Sequence, residues 1–282
     1  YLKTGGGHLA PARSIAKYLS AVHGNEIEPV LVDGLTDGRS FARYIIEDGY
    51  RLLQARVKWY YEFLNATNKF PPIGYLNVAL AKFFIKPYLK KRILEDRPSK
   101  IVIFNFFLIA PMYEILKEFG VDIPVVTVVT DPFTAHPLWF QREKQQFIVF
   151  SERLKQYCID KQKIPDHKLR VFPFIIDENF STPSSALEVK IIKERFGFSS
   201  GKKIVLIIGG GDGIPNGKFI LHHLLGASLD VETAIVCGKN KQLHTDALEF
   251  QKKYPALKVF GFVDFVYELL NAADIVITKC GA

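Results

Sequence analysis

Residues 203–213 read KIVLIIGGGDG, an unbroken apolar run rich in β-branched residues that stops abruptly in glycines. Continuous apolar character without alternation suits a strand covered on both faces. Glycines directly after it let the chain turn sharply and leave backbone N–H groups bare at the start of a following helix. Working outward, the same grammar recurs. Further strands are expected at 27–32, 100–104, 125–130, 147–150 and 169–172, and then at 233–236, 257–260 and 274–277. Amphipathic stretches lie between them. In the first, Leu9, Ala12, Ile15, Ala16, Leu19 and Val22 recur at helical spacing, with Pro11 tolerated in the opening turn. Alternating β and α segments imply an α/β fold with parallel sheets sandwiched between helices.

The polar, proline-containing stretch Ser181-Thr182-Pro183-Ser184-Ser185 divides the two βα series. Two doubly wound, Rossmann-like domains are therefore expected, residues 1–180 and 181–282, facing one another across a cleft. The chain opens on YLKTGGGH, the tail of a strand, and closes on DIVITKCGA, a strand with its turn. Both ends read as cut, and the second domain as incomplete.

Composition narrows the class. The 282 residues are 48% apolar and 23% charged, with 20 Gly and 15 Pro, which excludes a disordered or collagen-like chain. Cys158, Cys237 and Cys280 are odd in number and far apart, so neither a disulfide framework nor a cysteine zinc site is expected, and a reducing compartment is. The longest apolar stretch, 101–113, is too short to span a bilayer and reads as a buried strand running into a helix.

The net charge of +8 is concentrated. Residues 39–92 carry eleven basic side chains against three acidic ones, interleaved with aromatics. Arg56, Lys58, Trp59, Tyr60, Lys82, Phe83, Phe84 and Lys86 are the expected contacts with an anionic membrane surface, cations meeting headgroups while rings enter the acyl boundary. A solvated helix pair packed on the domain is the competing reading. No nucleic-acid motif accompanies the patch.

Three motifs carry candidate chemistry. In the first, Gly5, Gly6 and Gly7 precede His8 at a strand-to-helix turn. A positive helix end disfavours the protonated imidazole, which keeps His8 available as a base. The same turn satisfies G-x-G-x-x-A through Gly5, Gly7 and Ala10, with Asp33 where a ribose-binding acid would sit, so a nicotinamide-dependent oxidoreductase is an alternative. The second, VVTDPFTAHPLWF at 128–140, places Thr130, Asp131, His136, Pro137 and Trp139 after an apolar strand. Asp131 could orient His8 or meet a substrate hydroxyl, and Trp139 could offer a platform to an acceptor. Asp131 and His136 without a third ligand make a weak metal site.

The third is the loop Gly209, Gly210, Gly211 and Gly213, followed by three more glycine-bearing strand tips. These are Gly238-Lys239-Asn240, Phe260-Gly261-Phe262 and Lys279 to Gly281. Successive glycine tips with lysines describe a rim for a phosphorylated ligand. The chain lacks a D-x-D triplet, so leaving-group charge would fall to N–H groups, a helix end and basic side chains.

Together, GGGH, VVTDPFTAHPLWF, IIGGGDG and KVFGFVDFVYELLNAADIVITKCG resemble the monogalactosyldiacylglycerol synthases and the related processive diacylglycerol glucosyltransferases, over nearly the whole chain. The resemblance implies the two-domain GT-B glycosyltransferase fold. It also implies an inverting, metal-independent, peripheral membrane enzyme on the cytoplasmic side. UDP-galactose or UDP-glucose would be the co-substrate, with no other cofactor, and diacylglycerol the acceptor. Carried over by position, His8 is the general base and the block at Thr130 to Trp139 lies near the acceptor. The loop at Gly209 to Gly213 holds phosphate, Phe260 to Phe262 flank uracil, and Lys279 and Gly281 begin the last donor motif. A transferase moving N-acetylglucosamine from its UDP derivative to a polyprenyl-linked peptidoglycan precursor is the close alternative.

Overall fold

The computed structural model describes residues 1–2, 6–35, 71–141, 144–199 and 201–279, with side chains undescribed at 6 and 71–81. The chain separates into two compact units, one over Tyr1–Ile176 and one from Asp177 onward. The stretch at Ser181–Ser185 lies at the start of the second unit. There Ser185 builds a capping box with Glu188, each side chain satisfying the other's backbone N–H.

The first unit holds α1 (Gly6–His23), α2 (Pro71–Asp96), β1 (Ile101–Ile103), α3 (Ile109–Phe119), β2 (Val125–Val128), β3 (Gln146–Val149), α4 (Glu152–Gln162) and β4 (Leu169–Val171). Among the described residues its four strands are parallel and lie in chain order, β1-β2-β3-β4. One face packs Val128 and Phe104 against Ala12 of α1. The other buries Ile103, Val125, Phe147 and Val149 against Ile85 and Leu89 of α2, Ile109 and Ile115 of α3, and Leu154 and Cys158 of α4. Short β-branched runs are strands here because both faces are covered, as the unbroken apolar pattern requires.

The stretch 27–32 is a correction: it forms no strand. Its Val30 and Leu31 are about half exposed, so it has no second face to bury. The chain beside it still pairs locally, with the Tyr1 amine donating to the Val32 carbonyl and the Gly34 N–H to the Tyr1 carbonyl.

The second unit holds α5 (Ala186–Arg195), β5 (Lys203–Ile208), α6 (Gly217–Gly226), β6 (Val231–Val236), α7 (Lys241–Lys253), β7 (Lys258–Phe260), α8 (Val266–Ala272) and β8 (Ile275–Thr278). Its sheet is parallel in the order β7-β6-β5-β8. Alternation along β5 sorts the core. Ile204, Leu206 and Ile208 meet Ile192 of α5 and Leu269 of α8, while Ile207 meets Leu221 of α6 and Leu243 of α7. The order reverses between β5 and β8. Open α/β sheets bind ligands outside the carboxyl ends of the strands at such a switch point.

Cys158 and Cys237 are free and buried, and burial pushes their thiols up to about 12 and about 11. Both are therefore inert packing groups.

Candidate functional site

In the first unit the site forms at the carboxyl end of the sheet. His8 stands in the first turn of α1, and its Nδ1 lies 2.9 Å from the hydroxyl of Thr130, just past β2. The backbone of Phe104, just past β1, lies near the ring and favours its protonated form. The imidazole keeps part of its surface open, yet burial, the larger effect, lowers its pKa to about 4. Above that pH the ring is neutral and able to take a proton.

The rest of the block is a brace. Trp139 is fully buried, 6.1 Å from the His8 ring, and its Nε1 donates to Asp131 Oδ2 at 2.8 Å. Trp139 is thus a pillar, which corrects the expectation of an open platform for an acceptor. Asp131 does not orient His8 by a hydrogen bond. Burial raises its pKa, opposed by the bonds from Trp139 and the His136 backbone. His136 caps the turn at Pro137–Trp139, its Nδ1 accepting from the Leu138 N–H, and its ring stacks on Phe106. Pro137 opens that turn with the fixed φ such a start favours. Gly6 and Gly7 begin α1, and Gly5 lies outside the described residues.

Two contributors to this arrangement escape a reading of the sequence. Phe106 touches both His136 and Trp139, and Phe104 acts through its backbone. Both sit in an apolar run whose composition signals burial alone.

The second unit builds its site on glycines. A Cβ on Gly209 would fall 2.1 Å from the Gly213 carbonyl oxygen, and one on Gly238 would fall 2.4 Å from that of Gly211. Gly213 and Gly238 also hold positive φ, 76° and 58°. The loop therefore folds tightly against the tip of β6, tied by the Lys239 N–H donating to Gly211 at 2.7 Å. Gly211 itself faces open space, and Lys279, just past β8, reaches over Gly210. The loop leads into α6, so a cation and backbone donors share the switch point.

The other predicted donor contacts differ in kind. Asn240 spends its side chain capping α7, accepting from the Leu243 N–H. Phe260 packs on Phe196 and Phe265 inside the unit. Phe262 is exposed with the Lys239 ammonium 5.1 Å from its ring centre, and Gly261 lies beside His244. Gly281 lies outside the described residues.

The expected membrane segment is described in part. Arg56, Lys58, Trp59 and Tyr60 fall outside the described residues. Lys82 and Lys86 pair their ammonium groups with Glu114 and Glu118 of α3, and Lys90 joins the same ladder. Equal i, i+4 spacing on two packed helices brings the opposite charges together. Phe83 is exposed, with Phe84 edge-on to it. No described helix is long and apolar enough to cross a membrane.

A family model described as monogalactosyldiacylglycerol (MGDG) synthase matches residues 8–173, more than half of the chain. The chain belongs to the MGDG synthase family. Among curated relatives, a processive diacylglycerol beta-glucosyltransferase of Bacillus cereus (strain AH187) is 31% identical over 199 residues, 70% of this chain and 50% of the relative. One of Bacillus cytotoxicus is 28% identical over 98% of this chain and 69% of that protein. The chain thus spans about half the length of the first of these. A solved glycosyltransferase from Rickettsia africae shares the fold, with a TM-score of 0.51 at 13% identity over 98% of this chain and 69% of that one. The fold is the α/β, two-sheet GT-B kind. Within it, the nicotinamide alternative loses its acid: Asp33 is buried, and its Oδ1 accepts from the Leu35 N–H.

Proposed function

We propose that the chain forms the acceptor-side and donor-side units of a glycosyltransferase that moves a hexose from a UDP-sugar to the hydroxyl of diacylglycerol at a membrane surface. His8 removes the hydroxyl proton as the oxygen bonds to the anomeric carbon. The bond from that carbon to the UDP oxygen breaks, and the configuration inverts in one displacement. UDP departs with the electron pair and the extra negative charge, met by the N–H groups around Gly211, the start of α6 and Lys279, without a metal.

The observation that carries this reading is the His8 imidazole, partly open at the carboxyl end of the first sheet and held neutral by its surroundings. The donor arrangement at Gly209 to Gly213 and the curated relatives' activity support it. Exposed Phe83 supports a peripheral membrane contact. Whether the sugar is galactose or glucose is read by offering both donors to the full-length protein and weighing the lipid products. In that protein His8→Ala should cost about 10²–10⁴ in turnover while UDP affinity holds. Undiminished turnover would overturn the assignment.

A further inference from the structure

Resting on that reading of His8, we infer that Thr130 is its positioning residue: the hydroxyl oxygen accepts the Nδ1 proton of the imidazole and leaves Nε2 as the basic nitrogen. Asp131, next in sequence, is the residue type that would ordinarily do this. The structure commits its Oδ2 to Trp139 Nε1 at 2.8 Å, and Thr130 Oγ1 stands 2.9 Å from His8 Nδ1. Thr130 is only 2% exposed, so it meets the ring and not an incoming acceptor. It is fixed where β2 ends, with the neighbouring Val129 N–H bonded to the Ile148 carbonyl.

The chemistry of the two partners differs. A carboxylate only accepts, and it stabilises the imidazolium by its charge. A hydroxyl orients the ring without that charge, so the protonated state gains little from Thr130, and the Phe104 backbone that favours it is outweighed by burial. The site thus has an oriented but weak base, while the Asp131 carboxylate is engaged by Trp139. Were Thr130 instead to donate to Nδ1, the ring proton would sit on Nε2 for an acceptor such as the Phe104 backbone, and no lone pair would remain for a substrate. The tautomer is therefore the decisive observable.

It can be read without turnover, in the chain labelled with ¹⁵N-histidine, the His8 signals being those that vanish in His8→Gln. At pH 7.5 the expected pattern is a protonated-type Nδ1 and an unprotonated-type Nε2. Thr130→Ser should keep that pattern, and Thr130→Val should replace it with an average of both tautomers. In the full-length protein Thr130→Val should lower kcat about 10-fold or more with KM for the UDP-sugar unchanged, and Thr130→Ser should restore it. A proton on Nε2, or an unaltered pattern in Thr130→Val, overturns the inference. Should His8→Ala retain turnover, the catalytic reading fails on its own, whatever the ring nitrogens show.

Discussion

His8 titrates differently folded and unfolded, and this has a measurable consequence. Unfolded, the imidazole takes a proton near its ordinary value of 6.5; folded, it does so only at about 4. Between those values the unfolded chain binds more protons, so stability falls as pH drops from 6.5 to 4 and the loss then levels off. Thermal melts across that window should show a slope that His8→Gln flattens. A second residue-scale contrast lies in the glycine loop. Gly238→Ala meets both a positive φ and the Gly211 carbonyl, so it should lower Tm and UDP affinity together. Gly211→Ala adds a methyl group to open space and should leave Tm within a few degrees while weakening UDP. Undiminished UDP affinity in Gly211→Ala would remove the loop's free face from the donor site. Such glycines were legible in sequence because no other residue turns so tightly after a strand. Which of them faces a ligand was not, since that depends on contacts between loops distant in the chain.

At the scale of elements, α2 joins the sheet through one stripe and α3 through another. Ile85, Leu89 and Ile93 recur every four residues and are buried, while Lys82, Lys86 and Lys90 recur at the same spacing and meet Glu114 and Glu118. Leu89→Ala should cost about 2–5 kcal/mol in chemical denaturation, from lost burial and the cavity left behind. Lys90→Ala, on a largely exposed pair, should change the midpoint little. Phe83 projects from the same helix, and Phe83→Ala in the full-length protein should weaken sedimentation with anionic phospholipid vesicles if α2 touches the membrane. Unchanged sedimentation would remove Phe83 from that surface. The basic excess of this segment was plain in the sequence. Its partial neutralisation was not, because Glu114 and Glu118 lie about thirty residues beyond their lysines and meet them only once two helices pack.

For the whole molecule, the two units carry different groups at their sheet ends, a neutral imidazole in one and a glycine loop beside Lys279 in the other. Titration calorimetry should detect UDP and not NAD, since Asp33 is enclosed and engaged with Leu35. Lys279→Ala should weaken UDP about 10-fold, because a charge-assisted contact to diphosphate is lost. NAD binding with UDP ignored would reverse the roles of the two glycine turns.

Sequence alone determined the alternation of strands and helices, the parallel sheets, the glycine tips and the position of His8. These follow from local rules: periodicity, β-branching and the freedom of glycine act over a few residues. Only tertiary structure decided that Thr130 meets His8, that Asp131 is bound by Trp139, and that the lysines of α2 face carboxylates. Those outcomes come from packing between segments far apart in the chain, where burial and competition for a few hydrogen-bond partners select one pairing from several.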